Sequence, residues 1–482
     1  GILLACISIL FCKCNTTKVY IKTIMISLYL CFMKNYLIVL FLVFFGYNIN
    51  AQENLGFILN NDVKKEIIPF ELASNLIIVP VQVNGVLLNF IVDTGSTRTV
   101  VFDFKGIDTL NIKKEKIVRY SGKKNNVDFV EAYFSDNNII TIGRGLIDSS
   151  AEIVVMKQSN SYFVERLGMN VNGILGTDFF KKYIIKIDYV SQNIYVFNRK
   201  FKLPRDVRKA KFEPIKLIKG KPYINGEIAN NNSVLITDVL IDTGSSDSLW
   251  LHEIDSLNFS YPRSGFNDYL GYTLTGEIYG RRSKLDQLSI SGFKMERPTV
   301  SFPDYKKSLG MRANKNVTNN SNGSIGGEIL RRFDVIFDFE NQLISLSPNS
   351  NFNDGFYYNM AGIQLKVEGM SLVVTREKGF WAKSFYRNDG KENQSVSNTT
   401  KLIYEFSPNV IVSEVRSNSL AEIAGIRKGD LILKVNSTKS RNMTLQSINK
   451  KFYTNPYSNL KLTVKRGEST LKFKFKLIPL IE

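Results

Sequence analysis

The chain repeats itself, and the repeat limits the folds open to it. Phe90-Ile91-Val92-Asp93-Thr94-Gly95-Ser96-Thr97 returns as Val239-Leu240-Ile241-Asp242-Thr243-Gly244-Ser245-Ser246, with the aspartates 149 residues apart. Gly173-Ile174-Leu175-Gly176-Thr177-Asp178-Phe179-Phe180 returns as Gly323-Ser324-Ile325-Gly326-Gly327-Glu328-Ile329-Leu330, with the second glycines 150 apart. Ile185-Lys186-Ile187-Asp188-Tyr189 returns as Val335-Ile336-Phe337-Asp338-Phe339, again 150 apart. Chance does not keep three landmarks in register over such a distance. They mark two homologous lobes, each of a size that can hold its own core.

Within a lobe the pattern is β. Asn75 to Val83 is a β-branched run, Asn84-Gly85 is a hairpin signal, and Val86 to Val92 is a second apolar run. Few stretches sustain a helical period; Phe179 to Tyr183 and Ile329 to Phe333 each predict one short helix. A third unit starts near Gly355. Its strand Ile411 to Val415, short helix from Ser419, turn at Gly429-Asp430 and strand Leu431 to Val435 form a small α/β pattern. Asn351 to Gly355 and Asn388 to Thr400 are polar stretches expected to be loops.

Composition decides which chemistries remain. The 482 residues hold four cysteines, all within the first 31, and one histidine, His252. A Ser-His-Asp or Cys-His centre has one imidazole to draw on, and a structural zinc site finds too few ligands. An enzyme of this composition is expected to use carboxylates as acid and base, with no metal and no cofactor. The net charge is +19, and Arg199 to Lys211 carries seven basic residues against one acid. This stretch is expected to be a solvated linker; no nucleic-acid-binding motif accompanies it. At the amino end, Lys34 followed by the apolar run Leu37 to Phe45 and Ala51 has the form of a secretory signal. Residues 1–51 are therefore expected to be upstream sequence and signal. The mature protein is expected in the periplasm, the cell envelope or the medium, with no stable transmembrane span after cleavage.

The doubled D-T-G has a chemical reason. Hydrolysing an amide without metal or nucleophile takes a base to activate water and an acid to protonate the carbonyl oxygen or leaving nitrogen. Two carboxyls about 3 Å apart do both, because like charges at that distance share one proton. Gly95 and Gly244 let two loops approach without Cβ clashes. Thr94 and Thr243 carry hydroxyls able to bond across to the other loop, and Ser96 and Ser245 hydroxyls able to bond the outer carboxylate oxygens.

These residues give the chain its resemblance to the pepsin and retropepsin class of aspartic peptidases, in a two-lobed bacterial form, over roughly residues 66 to 348. The resemblance implies a mainly β fold of two homologous β-barrel lobes, residues 55–198 and 213–350, joined by a basic linker at 199–212. Asp93 and Asp242 match the class's catalytic positions. Ile174-Leu175-Gly176 matches its second motif, whereas Ser324-Ile325-Gly326 departs by placing Ser at the first apolar position. Arg98 stands close to the first aspartate, where the class has small or apolar residues, and is expected to point outward. The class closes its cleft with a β-hairpin flap, which puts Tyr272 or Tyr279 against substrate, and Tyr120-Ser121-Gly122 in the first lobe as a weaker candidate. The third unit, residues 355–480, resembles a bacterial protease-associated PDZ domain through Ala424 to Ile432. That implies a C-terminal peptide ligand bound by strand addition, with Met360-Ala361-Gly362-Ile363 as its carboxylate loop. The expected function is an exported aspartic endopeptidase acting on peptide or protein substrates, with a PDZ module that the two lobes do not need for short peptides. The alternative is a non-catalytic scaffold that binds peptides in the same cleft.

Overall fold

A computed structural model describes residues 56–60, 62–113, 116–124, 127–159, 161–253, 258–273, 276–304, 321–386 and 392–481. The expected signal segment lies outside them. The protein is mainly β, and residues 56–482 form one compact unit.

Each repeat builds its own large sheet by the same rule. In lobe 1 the strand β1 (Val86–Val92) pairs antiparallel with Leu76–Val83 across the Asn84-Gly85 turn. Its other edge runs parallel to Gly173–Leu175, with Ile91 opposite Ile174 and Val92 opposite Leu175. In lobe 2 the strand β2 (Ser233–Ile241) pairs antiparallel with Lys221–Asn230 and parallel with Ser321–Ile325, with Ile241 opposite Ile325. The two sequence motifs of a lobe are therefore neighbouring strands. Phe90, Ile91 and Val92 are buried in succession, so both faces of that strand end are covered, as parallel pairing in a sheet interior asks; in the second lobe Val239 and Ile241 are buried and Leu240 half-buried.

The third landmark joins the lobes. Ile184–Asp188 pairs antiparallel with Phe333–Asp338, with Ile185 opposite Phe337 and Ile187 opposite Val335. One six-stranded sheet is thus made from both lobes, and one hydrophobic core runs through them, including Phe180, Phe337 and Phe339 in mutual ring contact. The basic stretch is not a free linker. Arg205–Arg208 forms one helical turn whose Val207 is buried against Ile184, Phe197 and Ile336, while Arg199 pairs with Asp338 and Glu340, and Lys186 with Asp206. The charges sit outward and the apolar residues between them bind the turn to the shared sheet.

The C-terminal unit has its own core, with Ile363, Val412, Ile432, Phe452 and Val464 buried together. Its hairpin is longer than the sequence suggests. β5 (Ile363–Tyr386) and β6 (Glu392–Val415) are paired residue by residue outward from the core. The stretch expected as a loop from Asn388 is strand from Glu392 on. Its polar residues are compatible with this because the backbone ladder needs no burial once both strands are in register. Among the described residues no helix is long and apolar enough to cross a membrane.

Candidate active site

The carboxylates sit where two strands end. The Asp93 N–H donates to Leu175 O at 3.0 Å and the Asp242 N–H to Ile325 O at 2.9 Å, so the parallel neighbour fixes each aspartate at the strand terminus. The next residues turn back under it: the Gly95 N–H donates to Asp93 Oδ1 at 2.7 Å and the Gly244 N–H to Asp242 Oδ1 at 3.0 Å. Beyond the turn, Thr177 N–H bonds Ser96 O at 2.8 Å and Gly327 N–H bonds Ser245 O at 2.7 Å, so the later glycine motif braces each loop.

The two loops meet. A Cβ built on Gly95 would lie 2.8 Å from Asp242 Oδ1 and 3.0 Å from Asp93 Oδ1. One on Gly244 would lie 2.5 Å from Asp93 Oδ1 and 2.7 Å from its Oδ2. Any side chain at these positions would push the carboxyls apart, which is why the motif needs glycine there. The Asp93 and Asp242 carboxyls thus come together across the two glycine turns and line one cavity. Thr94 and Thr243, both fully buried, interlock beneath them: Thr94 Oγ1 donates to Ile241 O at 2.6 Å and Thr243 Oγ1 to Val92 O at 2.8 Å.

Burial pushes both carboxyls up. For Asp93 the Gly95 N–H and the Asp242 side chain pull the other way; for Asp242 the neighbouring Asp93 charge adds to burial and holds it well above the usual carboxylate range. Lys221, at the start of its strand, faces both and lowers both. A poorly solvated like-charge pair of this kind keeps one proton between two oxygens.

Not every expected residue falls where the sequence suggested. The Ser96 hydroxyl donates to Arg98 O at 2.8 Å, and among the described residues Ser245 makes no hydrogen bond to either carboxylate. The serines brace loops; backbone N–H groups take the carboxylate oxygens, because they approach without displacing the glycine turn. Arg98 points away, onto Glu152 and the Phe134 ring.

The hairpin over the cleft is β3 (Phe266–Thr273) with β4 (Gly276–Lys284). The Tyr279 hydroxyl donates to Glu277 Oε2 at 2.9 Å and the side chain does not line the cleft. Its cross-strand partner Tyr269 does, and its hydroxyl bonds that of Tyr162 on helix α1 (Ser161–Leu167) of the other lobe. The Tyr272 side chain lies outside the described residues, as do those of Tyr120, Ser121 and Gly122, whose backbone forms part of a first-lobe hairpin strand.

Ala361, Gly362 and Ile363 do not form an open carboxylate loop. Ala361 and Ile363 are fully buried, the Met360 N–H is taken by Phe452 O at 2.9 Å, and the Gly362 N–H by Asn359 Oδ1 at 3.0 Å. Two of the N–H groups of this loop, those of Met360 and Gly362, are thus already used inside the module. Lys221, Tyr162 and Tyr269 belong to no motif, and sequence reasoning did not single them out. Among the described residues no group of His, Cys, Asp and Glu could hold a metal ion.

Residues 79–179 match the family described as aspartyl protease, and residues 411–466 the family described as PDZ domain. No curated protein matches the chain. Among solved structures, the aspartic proteinase from Irpex lacteus is similar at 14% identity and a TM-score of 0.37, over 60% of this chain and 99% of that chain. The chain carries an aspartyl protease domain and, toward its C-terminus, a PDZ domain.

Proposed function

We propose that the protein is an exported aspartic endopeptidase that hydrolyses peptide bonds with water activated by Asp93 and Asp242. The observation that carries this is the pair of half-buried carboxyls brought together in one cleft by two glycine turns, both held above their ordinary range by poor solvation. In this reading the ionised carboxyl takes a proton from water as its oxygen attacks the scissile carbonyl carbon. The protonated carboxyl gives its proton to the carbonyl oxygen. When the tetrahedral intermediate collapses, the C–N bond breaks as the proton taken from water goes to the leaving nitrogen, and the other carboxylate takes a hydroxyl proton of the intermediate as the C=O reforms, which restores the single shared proton. Gly95 and Gly244 N–H groups hold the carboxyl oxygens at the required separation. Export is supported by the apolar run Leu37 to Phe45 behind Lys34.

The test is cleavage of a mixed peptide library at several acidic pH values, with and without pepstatin. Pepstatin-sensitive products that vanish in Asp93→Asn are expected. Peptides bound but returned intact by the wild-type protein would favour the scaffold reading instead.

A further inference from the structure

The cleft does not end at the lobes. One cavity of about 1810 Å³ contains Asp93 and Asp242 and continues onto the PDZ module, where Gln364 on β5 and helix α2 (Leu445–Tyr453) form its wall. β5 is an edge strand of its sheet, so the groove where such modules receive a strand opens inward, onto the catalytic cavity. Its far end is stopped by lobe 1. Gln446 Nε2 donates to Leu167 O at 2.9 Å, and a Cβ built on Gly168 would lie 3.0 Å from Leu445 Cβ and 3.3 Å from Val367 Cγ2.

The charges along this wall are unbalanced. Of the acids lining the cavity, Asp247 pairs with Arg282, and Glu328 and Asp354 pair with Arg331. That leaves only the aspartate pair, which holds a proton. Three cations lining the cavity have no carboxylate partner among the described residues: Arg166 from lobe 1, Lys221 from lobe 2 and Lys450 from the PDZ helix. Each part of the protein contributes one, and low-dielectric walls focus their field into the cavity.

We propose that the cleft takes an extended polypeptide segment bearing acidic side chains, with Arg166, Lys221 and Lys450 as its specificity-determining residues. The PDZ module then serves as a wall for internal segments, not as a receptor for a free C-terminus. This rests on the reading of the cleft as a peptidase site, and the experiment separates the two.

Labelled twelve-residue peptides with acidic, neutral or basic side chains, each as free acid and as amide, are titrated by fluorescence anisotropy into the full chain carrying Asp93→Asn. Acidic peptides are expected to bind about tenfold tighter than basic ones at low salt, with the difference shrinking in 0.5 M NaCl. Amidation is expected to change binding less than about twofold. Lys450→Glu and, separately, Arg166→Glu are expected to reduce the acidic preference severalfold. Equal binding of acidic and basic peptides, or a preference that both variants leave intact, overturns the proposal, and so does loss of binding on amidation. Acidic peptides bound selectively but never cut by the wild-type protein would leave the charge inference standing and remove the peptidase reading. Efficient cutting without charge preference would do the reverse.

Discussion

Thr94 and Thr243 each hold the other's backbone: the Thr94 N–H donates to Thr243 Oγ1 at 3.0 Å, and the Thr243 N–H donates to Thr94 Oγ1 at 3.0 Å. Each hydroxyl in turn donates a hydrogen bond to a carbonyl of the opposite strand. Four bonds cross between the two loops directly beneath the carboxyls. Thr94→Val keeps the shape but leaves the Thr243 N–H and Ile241 O without their partner at a fully buried position. We expect a loss of about 1–3 kcal/mol in chemical denaturation and a fall in kcat larger than the change in KM. A variant with native stability and kcat would show that the interlock does not set the carboxyl geometry.

Asp93→Asn and Asp242→Asn should each lower turnover by at least about a thousandfold, because one removes the base and the other the acid of a pair that acts as a unit. Stability should move the opposite way for Asp242. Its folded-state carboxyl is raised well above the unfolded value. Its contribution is therefore complete below the unfolded pKa and is lost as pH rises through the folded one. At neutral pH the buried charge costs the native state, so Asp242→Asn should raise the melting temperature at pH 7 and not in strong acid. A lower melting temperature at pH 7 would contradict the assigned direction.

Turnover against pH should be a bell on the acid side, with no full plateau above pH 8, since one carboxyl must be charged and the other neutral. Lys221 lowers both groups. Lys221→Met removes that pull, both carboxyls rise, and both limbs of the bell should shift to higher pH. Limbs that stay in place in the variant would place Lys221 outside the electrostatics of the pair.

The part of the site legible in the sequence is the part the repeat encodes. A D-T-G at a strand end and a glycine motif on its parallel neighbour are local patterns, and having two copies indicates that they face each other. The rest depends on contacts that no local pattern announces. Lys221 and Tyr269 resemble any other lysine or tyrosine of a strand until the fold brings them to the cleft. Tyr279 is the more conspicuous tyrosine of the hairpin in sequence; it and Tyr269 are cross-strand partners with rings 5.6 Å apart on one face, and of the two only Tyr269 lines the cleft. The PDZ pattern was legible as a module, but its attachment was not. The polar stretch Asn351 to Gly355 looks like a tether. Arg332, fully buried, instead donates to its carbonyls and stacks 3.6 Å over the Phe356 ring.

That attachment carries the last prediction. Tyr358 is buried and its hydroxyl lies 2.7 Å from Ser283 O and 2.8 Å from Val300 O, both in lobe 2. On the other side Gln446 Oε1 accepts from the Ser74 N–H at 3.0 Å in lobe 1. A module fixed to both lobes should not melt by itself. The full chain is expected to give one thermal transition, and Tyr358→Phe to lower it by about 1–3 kcal/mol of stability, the cost of leaving a buried acceptor without its donor. Residues 52–350 alone would expose the surface around Ser283 and lose the Lys450 wall, so they are expected to melt at lower temperature and to cleave short peptides with raised KM. Two separate transitions in the full chain, with unchanged kinetics for residues 52–350, would return the module to the independent role that its sequence suggests.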